Sequence, residues 1–465
     1  MLAATSIFFD IRIPNPTTWF YFSGLLAVAL FFKFSRFFSM RNLDVLTLYL
    51  FMPGLLLLSE GGAHQFLGYL WLMIACLYFL VRCLVDLALT RRPALGTNLH
   101  PAGLAWLTGA LFMGLIAVAV REPPRPNDDP RDDVARSPTD DLRKIGERTI
   151  RPYAPNLDDS GLRRYAERSM ALLCHLSVVL GLVFVGRRHF DDLQAGMSAA
   201  TFYLLLPYTY MLLPDSPLGV GRWDHAWAMA LVVWAILCYR RPIVAGAFLG
   251  VATGTTFYLL VALPAWVSFY RDRGATRFAV SFVVSAGLGL AVLGILLWAH
   301  GEMPPSLQSD WTRFDWQPWK RPAADTPGFW QNIPSASVAG MPAAYRVPLF
   351  IAAMTLVLTA GLWPFPKNLA QVIALSAATL ISIQFWYADR GGVYVLWFIP
   401  LLLLLVFRPN LSNARPPVPP ADDWPAQLGG WLRRRTATAL QPLAGLWPRR
   451  PDRPPELPAS PGRVG

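Results

Sequence analysis

RRPIVAGAFLGVATGTTFYLLVALPAWVSFYRDRGATR, residues 240–277, is the stretch on which the fold of this chain turns. An uncharged apolar run from 242 to 270 is bracketed by Arg240 and Arg241 on one side and by Arg271, Arg273 and Arg277 on the other. Lys and Arg gather in the cytoplasmic loops of membrane proteins, so both ends of the run read as lying on the same side. As one helix the run would be about 43 Å long, against about 30 Å of hydrocarbon, whereas two half-helices of about 20 Å each would enter and return. Gly246, Gly250 and Gly254 recur every four residues, a small-residue face that lets helices approach closely. Pro264 supplies a break further on. A re-entrant or broken hairpin is therefore expected over 242–270. The alternative is one long tilted span with a glycine packing face, which would move every later loop to the other side.

Outward from this segment, 54% of the 465 residues are apolar or aromatic and 15% are charged, against about a quarter charged in soluble domains. Apolar runs long enough to cross a bilayer lie near 17–36, 43–59, 65–87, 102–120, 169–186, 194–213, 220–239, 278–299, 347–363, 368–387 and 392–407. The expected fold is all-α: a polytopic transmembrane bundle of about eleven spans plus the hairpin. Lys33, Arg36 and Arg41, then Arg91 with Arg92, Arg187 with Arg188, and Arg240 with Arg241 place alternate connections inside. A multi-pass protein of the inner (plasma) membrane follows, with its N-terminus outside. Met1 to Phe9 lacks the basic n-region of a cleaved signal.

The organisation reads as four spans in 1–120, a polar extracytoplasmic loop at 121–168, spans with the hairpin over 169–299, an outer aromatic and charged loop at 300–346, and three spans in 347–407. A basic, Pro-rich cytoplasmic tail, 408–465, is expected to be disordered. The 121–168 connection carries eleven basic and eleven acidic residues, but long loops obey the charge rule poorly. The net charge of +12 falls largely beside apolar segments, which points to anionic lipid as partner and not to nucleic acid. Cys76, Cys83, Cys174 and Cys238 all lie in apolar stretches and read as packing residues.

No phosphate-cradling glycine loop, HExxH, CxxC pair or GxSxG elbow is present, which excludes an NTP-driven pump for this chain alone. Arg82 and Asp86, four apart, read as a local ion pair, Asp44 as a helix cap, and His175 as hydrogen-bonded to a neighbouring helix. Three outer-face features carry chemistry. Glu60-Gly-Gly-Ala-His64 holds a carboxylate and an imidazole in one turn, suited to acid or base work or simply solvated. Pro214 to His225 includes Asp215, Arg222, Asp224 and His225, and Arg with His suits a phosphate, though an ordinary interfacial loop has the same composition. The 300–346 loop interleaves Lys320 and Arg321 with Trp316 and Trp319, a pattern shared by sugar-stacking surfaces and interfacial belts. The Asp pairs at 128–129, 132–133 and 140–141 sit in a Pro-rich run and read as a solvated loop, with no metal site.

From about Phe202 to Phe278 the chain resembles the integral membrane glycosyltransferases of the GT-C class, especially the bacterial polyprenyl-phosphate mannose-dependent branch. The residues that carry this are Leu204-Leu-Leu-Pro-Tyr208, Arg241-Pro242, Ala245-Gly246, Leu249-Gly250, Leu263-Pro264, Arg271 and Arg273. The resemblance implies inverting transfer of a sugar from a polyprenyl-phosphate donor to an extracytoplasmic acceptor, with no cofactor. It also implies an acidic base on an outer loop, Glu60 or Asp10 here, and donor binding by Arg222, His225, Lys320 and Arg321 with Trp316 and Trp319. Two features depart from the family. Its acidic residue usually follows the first span, a connection that reads as cytoplasmic here, and a hairpin Lys is replaced by Gly254-Thr-Thr256. Two other functions remain open: a transporter or flippase for a lipid-linked substrate, using the hairpin as a binding element, and a non-catalytic membrane subunit.

Overall fold

The computed structural model describes residues 15–89, 96–121, 138–210, 223–299, 301, 318–319, 328–330, 341–418 and 434. The chain divides into two units, Met1–Val418 and Pro419–Gly465. Among the described residues every regular element is helical. Among the described residues seven helices are long and apolar enough to cross a membrane, and four shorter apolar ones accompany them, 16–31, 223–237, 242–255 and 257–269.

The chain opens with α1 (Pro16–Phe31), whose first turn is capped by the Asn15 side chain. α2 (Met40–Thr47) is capped by Ser39, and α3 (Phe51–Glu60) continues it after a three-residue turn. Gly61 and Gly62, both with positive φ, reverse the chain into α4 (Gln65–Asp86). α4 runs antiparallel to the pair, with Trp71 Nε1 on the Leu50 carbonyl at 2.7 Å and Arg82 on Asp44. Asp44 is thus not the expected cap. Ser39 does that work, and Arg82 takes both Asp44 oxygens while its Nη1 reaches Asp86 at 3.0 Å. α5 (Pro101–Arg121) follows.

Within the segment read as a polar loop, α6 (Pro138–Ile150) packs on α7 (Asp159–His189), with Gly146 against Met170. Arg143 of α6 pairs with Glu147 at 2.5 Å, which anchors the polar face of this helix. α7 begins about ten residues before its apolar stretch because Asp158 caps it, accepting from Gly161 N at 3.0 Å. α8 (Leu193–Leu205) returns antiparallel, with Gly186 and Gly196 in direct contact near the turn and His175 Nδ1 sharing a 2.7 Å hydrogen bond with Tyr203 across the pair. At 13 residues α8 is shorter than the apolar run 194–213 promised, because Leu206 leaves the helix before Pro207. α9 (Trp223–Leu237) then packs along α7.

α10 (Pro242–Thr255) breaks at Thr256, where the backbone is extended. A six-residue 3-10 stretch, Phe257–Ala262, and α11 (Leu263–Phe269) follow, before α12 (Ala275–Trp298). A Cβ added at Gly246, Gly250 or Gly254 would lie 2.5, 2.3 or 3.1 Å from the carbonyl oxygen of Phe278, Phe282 or Ala286 respectively. Both series rise by four, so α10 and α12 run parallel, and Gly274 touches Pro242 where they begin. Residues 256–273 therefore carry the chain back to the level at which α10 started.

α13 (Met341–Leu362), α14 (Leu369–Trp386) and α15 (Ile399–Phe407) complete the bundle. Asn368 and Gln371 close a capping box at the start of α14. In α14 89% of the residues are buried, whereas in the most apolar 18-residue stretch of α12 17% are, which puts α14 at the centre and α12 at the rim. Residues 408–418, read as the start of a tail, are bonded to the body: Arg408 to Asp86, Leu369 N to the Ala414 carbonyl at 2.8 Å and Arg273 to the Pro416 carbonyl at 2.5 Å.

Contacts join the basic connections at one end. Lys33 reaches Asn98 at 2.6 Å, Phe31 packs on Phe407, and Arg408 holds Asp86. On the far side of the same end, Lys367 donates to Ser268 at 2.7 Å, Tyr270 to the Tyr239 carbonyl at 2.7 Å, and His189 meets the Leu237 carbonyl at 2.7 Å.

Candidate functional site

At the opposite end, three pieces of chain converge. Trp223-Asp-His225 opens α9, Thr255 to Tyr258 ends α10 and starts the return of the hairpin, and Tyr387 to Trp397 joins α14 to α15. The last connection is folded back by Arg390 at φ 47 and Gly392 at φ 92. A non-glycine residue in that left-handed region costs about 1–2 kcal/mol, so the loop geometry is held by its surroundings. Gly392 N donates to Gln384 Oε1 at 2.9 Å, and Gly391 packs against the Gln384 carbonyl, leaving no room for a side chain.

The fold-back delivers Trp397 onto two tyrosines. Its ring stacks on Tyr258 at 3.8 Å and on Tyr394 at 4.3 Å. His225 stands edge-on to Tyr394 at 5.1 Å and to Trp397 at 6.1 Å. The Tyr394 hydroxyl donates to Asp389 Oδ2 at 3.2 Å, and Asp224 is a charged neighbour of Tyr258. Trp227 Nε1 donates to the Thr255 hydroxyl at 2.9 Å, which ties α9 to the hairpin tip. Two carboxylates, an imidazole and three stacked rings thus share one place, a combination able to take a proton and to hold a hydroxylated ring.

The buried Tyr258 hydroxyl has the Thr256 hydroxyl beside it, which gives its own proton to the Ala252 carbonyl and keeps its oxygen as an acceptor. Trp397 Nε1 is a buried donor that meets no hydrogen-bond partner among the described residues. Leaving such a group buried and unpaired costs about 1–3 kcal/mol.

Around this core, Phe66 stacks on Phe329 at 5.9 Å, and Trp330 Nε1 donates to the Phe385 carbonyl at 3.1 Å. Gly328 lies against the Ala388 carbonyl. Residues 328–330 of the long aromatic loop therefore pack between the start of α4 and the 387–397 connection. Glu60 and His64, in the turn just before Phe66, are exposed.

Of the residues singled out in the sequence, His225 lies in the cluster, Glu60 at the exposed α3–α4 turn, and Trp319 is 57% exposed. Asp10, Arg222, Trp316, Lys320 and Arg321 lie outside the described residues, as do the Asp pairs at 128–129 and 132–133. Asp140 and Asp141 sit in the first turn of α6, and no metal-ligand cluster occurs among the described residues. Sequence reasoning passed over Tyr258, Asp389, Tyr394 and Trp397. The available signal was Trp386-Tyr-Ala-Asp-Arg390, a short copy of the charge and aromatic interleaving noted in the longer loop.

No family model matches the chain, and no curated protein or solved structure matches it either.

Proposed function

We propose that this chain is a GT-C-like glycosyltransferase of the bacterial inner membrane, with about eleven crossings and a re-entrant hairpin, moving a sugar from a polyprenyl-phosphate donor to an extracytoplasmic acceptor. The supporting observation is the grouping of His225, Asp224 and Asp389 with Tyr258, Tyr394 and Trp397 at the end away from the basic loops. By the charge rule the basic end faces the cytoplasm, so this grouping faces outward. The hairpin tip beside it gives a lipid-linked donor a way in from the bilayer.

In the proposed reaction a carboxylate, Glu60, Asp224 or Asp389, takes the proton of the acceptor hydroxyl. The oxygen attacks the anomeric carbon, and the bond from that carbon to the phosphate oxygen breaks with its electron pair staying on the phosphate. One displacement inverts the anomeric centre. The full chain in proteoliposomes with radiolabelled polyprenyl-phosphate mannose, glucose or galactose tests this by product formation. Loss of the base lowers transfer about 100-fold or more, so one of Glu60→Gln, Asp224→Asn and Asp389→Asn should do so. Absent transfer in the wild type, or full transfer in all three variants, rejects the proposal.

The break at Thr256 favours a second reading, transport of a lipid-linked sugar past an interrupted helix. Movement of a labelled lipid across the bilayer without glycoside formation distinguishes it.

A further inference from the structure

We infer that the corner between α1 and α2 seats one anionic phospholipid of the cytoplasmic leaflet, its phosphate held by Arg36 and Arg41 and its acyl chains laid along the exposed face of α2. This corner lies at the basic end, away from the aromatic stack, so it is independent of glycosyl transfer. The corner is rigidly built. Asn42, 1% exposed, accepts from Lys33 N at 2.9 Å and turns its amide to the carbonyls of Lys33, Arg36 and Phe37 at 3.0, 3.0 and 3.1 Å. Asn98 fastens the corner to the end of α1 through the Ala29 and Leu30 carbonyls, at 2.8 Å each, and accepts from the Lys33 ammonium. Buried Phe32 packs its ring on Phe34 at 5.0 Å and on Phe37 at 5.3 Å, and Phe37 meets Phe38 at 5.1 Å. A backbone held this firmly nevertheless leaves Phe34, Phe37 and Phe38 exposed by 70, 58 and 98%. Such a ridge of rings is covered by something outside the chain.

Charge says what covers it. Arg36 is a charged neighbour of Arg41, whose Nε is buried, and neither side chain finds a partner among the described residues. No carboxylate occurs from residue 33 to 43, and the next one, Asp44, is gripped by Arg82. Two neighbouring guanidinium groups with no acid between them repel each other until an anion joins them. A phosphate suits both, because its oxygens accept from the two forks at once. Met40, Leu43 and Leu46, three apart, make an exposed apolar face of α2 that leads away from the rings. Free phosphate would leave that face and the rings bare. A zwitterionic headgroup would bring its own cation to the arginines, whereas an anionic one brings none.

The test is native mass spectrometry of the full chain in detergent, with phosphatidylglycerol or phosphatidylcholine of identical acyl chains added. The wild type should retain one phosphatidylglycerol about tenfold better than phosphatidylcholine. Arg36→Gln combined with Arg41→Gln should abolish that preference. Arg187→Gln combined with Arg188→Gln removes the same charge from the exposed last turn of α7, at the same end, and should keep it. Phe38→Ser should weaken retention of both lipids alike, since it removes apolar contact and no charge. Arg36 is exposed, so Arg36→Gln alone decides the question if the double variant does not fold. A wild type without preference, or a preference that survives loss of the corner arginines, overturns the seat. So does an equal loss in the two double variants, which would reduce the effect to general attraction between a basic protein and anionic lipid, or undiminished retention in Phe38→Ser.

Discussion

Arg408 grips Asp86 across 322 residues of sequence, Nη2 to Oδ2 at 2.6 Å, with the aspartate side chain fully buried. Asp86 also accepts from Arg82, which holds Asp44 through two nitrogens. Two carboxylates and two guanidinium groups thus balance within one buried network that ties α2 and α4 to the chain after α15. A cavity of about 30 Å³, lined by Asp86, Asn368, Gln371 and Arg408 among others, adjoins it. That volume accommodates about one water.

Removing one partner of a buried pair leaves an uncompensated charge, at a cost of about 3–5 kcal/mol. Arg408→Leu should therefore destabilise the protein strongly, and Asp86→Leu combined with Arg408→Leu should restore part of the loss, in thermal unfolding in detergent. Equal stability of the single variant and the wild type would show that the network contributes nothing.

The glycines of α10 leave no space for a side chain. Gly250→Val would put a Cβ about where the Phe282 carbonyl oxygen already sits, 2.3 Å away. Overpacking of this kind costs about 1–3 kcal/mol. Gly24, with nothing within 4 Å of an added Cβ, provides the comparison: Gly24→Ala should be tolerated. A Gly250→Val protein as stable as Gly24→Ala would refute the close approach of α10 and α12.

Helices α4, α5, α7, α12 and α14 were legible in the sequence because each is an uninterrupted apolar run of bilayer length. The glycine series in α10 was legible for its spacing, although the sequence did not name α12 as the helix it faces. The Arg82–Asp86 pair follows from helical spacing, but Asp44 and Arg408 join it from 38 and 322 residues away, and no local pattern encodes that. The candidate site was half visible for the same reason. His225 stood out as an imidazole at a span end, while Trp397 and Tyr258 read as ordinary membrane aromatics until the return of the hairpin stacked one on the other.

The parallel course of α10 and α12 makes a topological prediction. Arg240 and Asp272 are both exposed and flank the hairpin, so both should lie on one side of the membrane, with Glu60 on the other. In a background with Cys238→Ser, the other three cysteines being buried, Arg240→Cys and Asp272→Cys should react with an impermeant maleimide only after the membrane is opened. Glu60→Cys should react in intact cells. Opposite labelling of Arg240→Cys and Asp272→Cys would mean that 242–270 crosses once.

Lys367, in the turn between α13 and α14, is 2% exposed, and its ammonium donates to Ser268 Oγ and to the Pro364 carbonyl at 2.9 Å. Burial, with Arg271 nearby, pushes its pKa down to about 8 from the ordinary 10.5. Below pH 8 the group is charged in both the folded and unfolded chain, and the folded state bears the cost of burying that charge. Between about pH 8 and 10.5 the folded chain has lost this proton while the unfolded chain retains it, so the Lys367 contribution to stability rises with pH across that window. Lys367→Met removes the titration. The unfolding temperature of the wild type should therefore gain on that of Lys367→Met as pH rises from 8 to 10, and parallel curves would place the lysine in an environment no different from water.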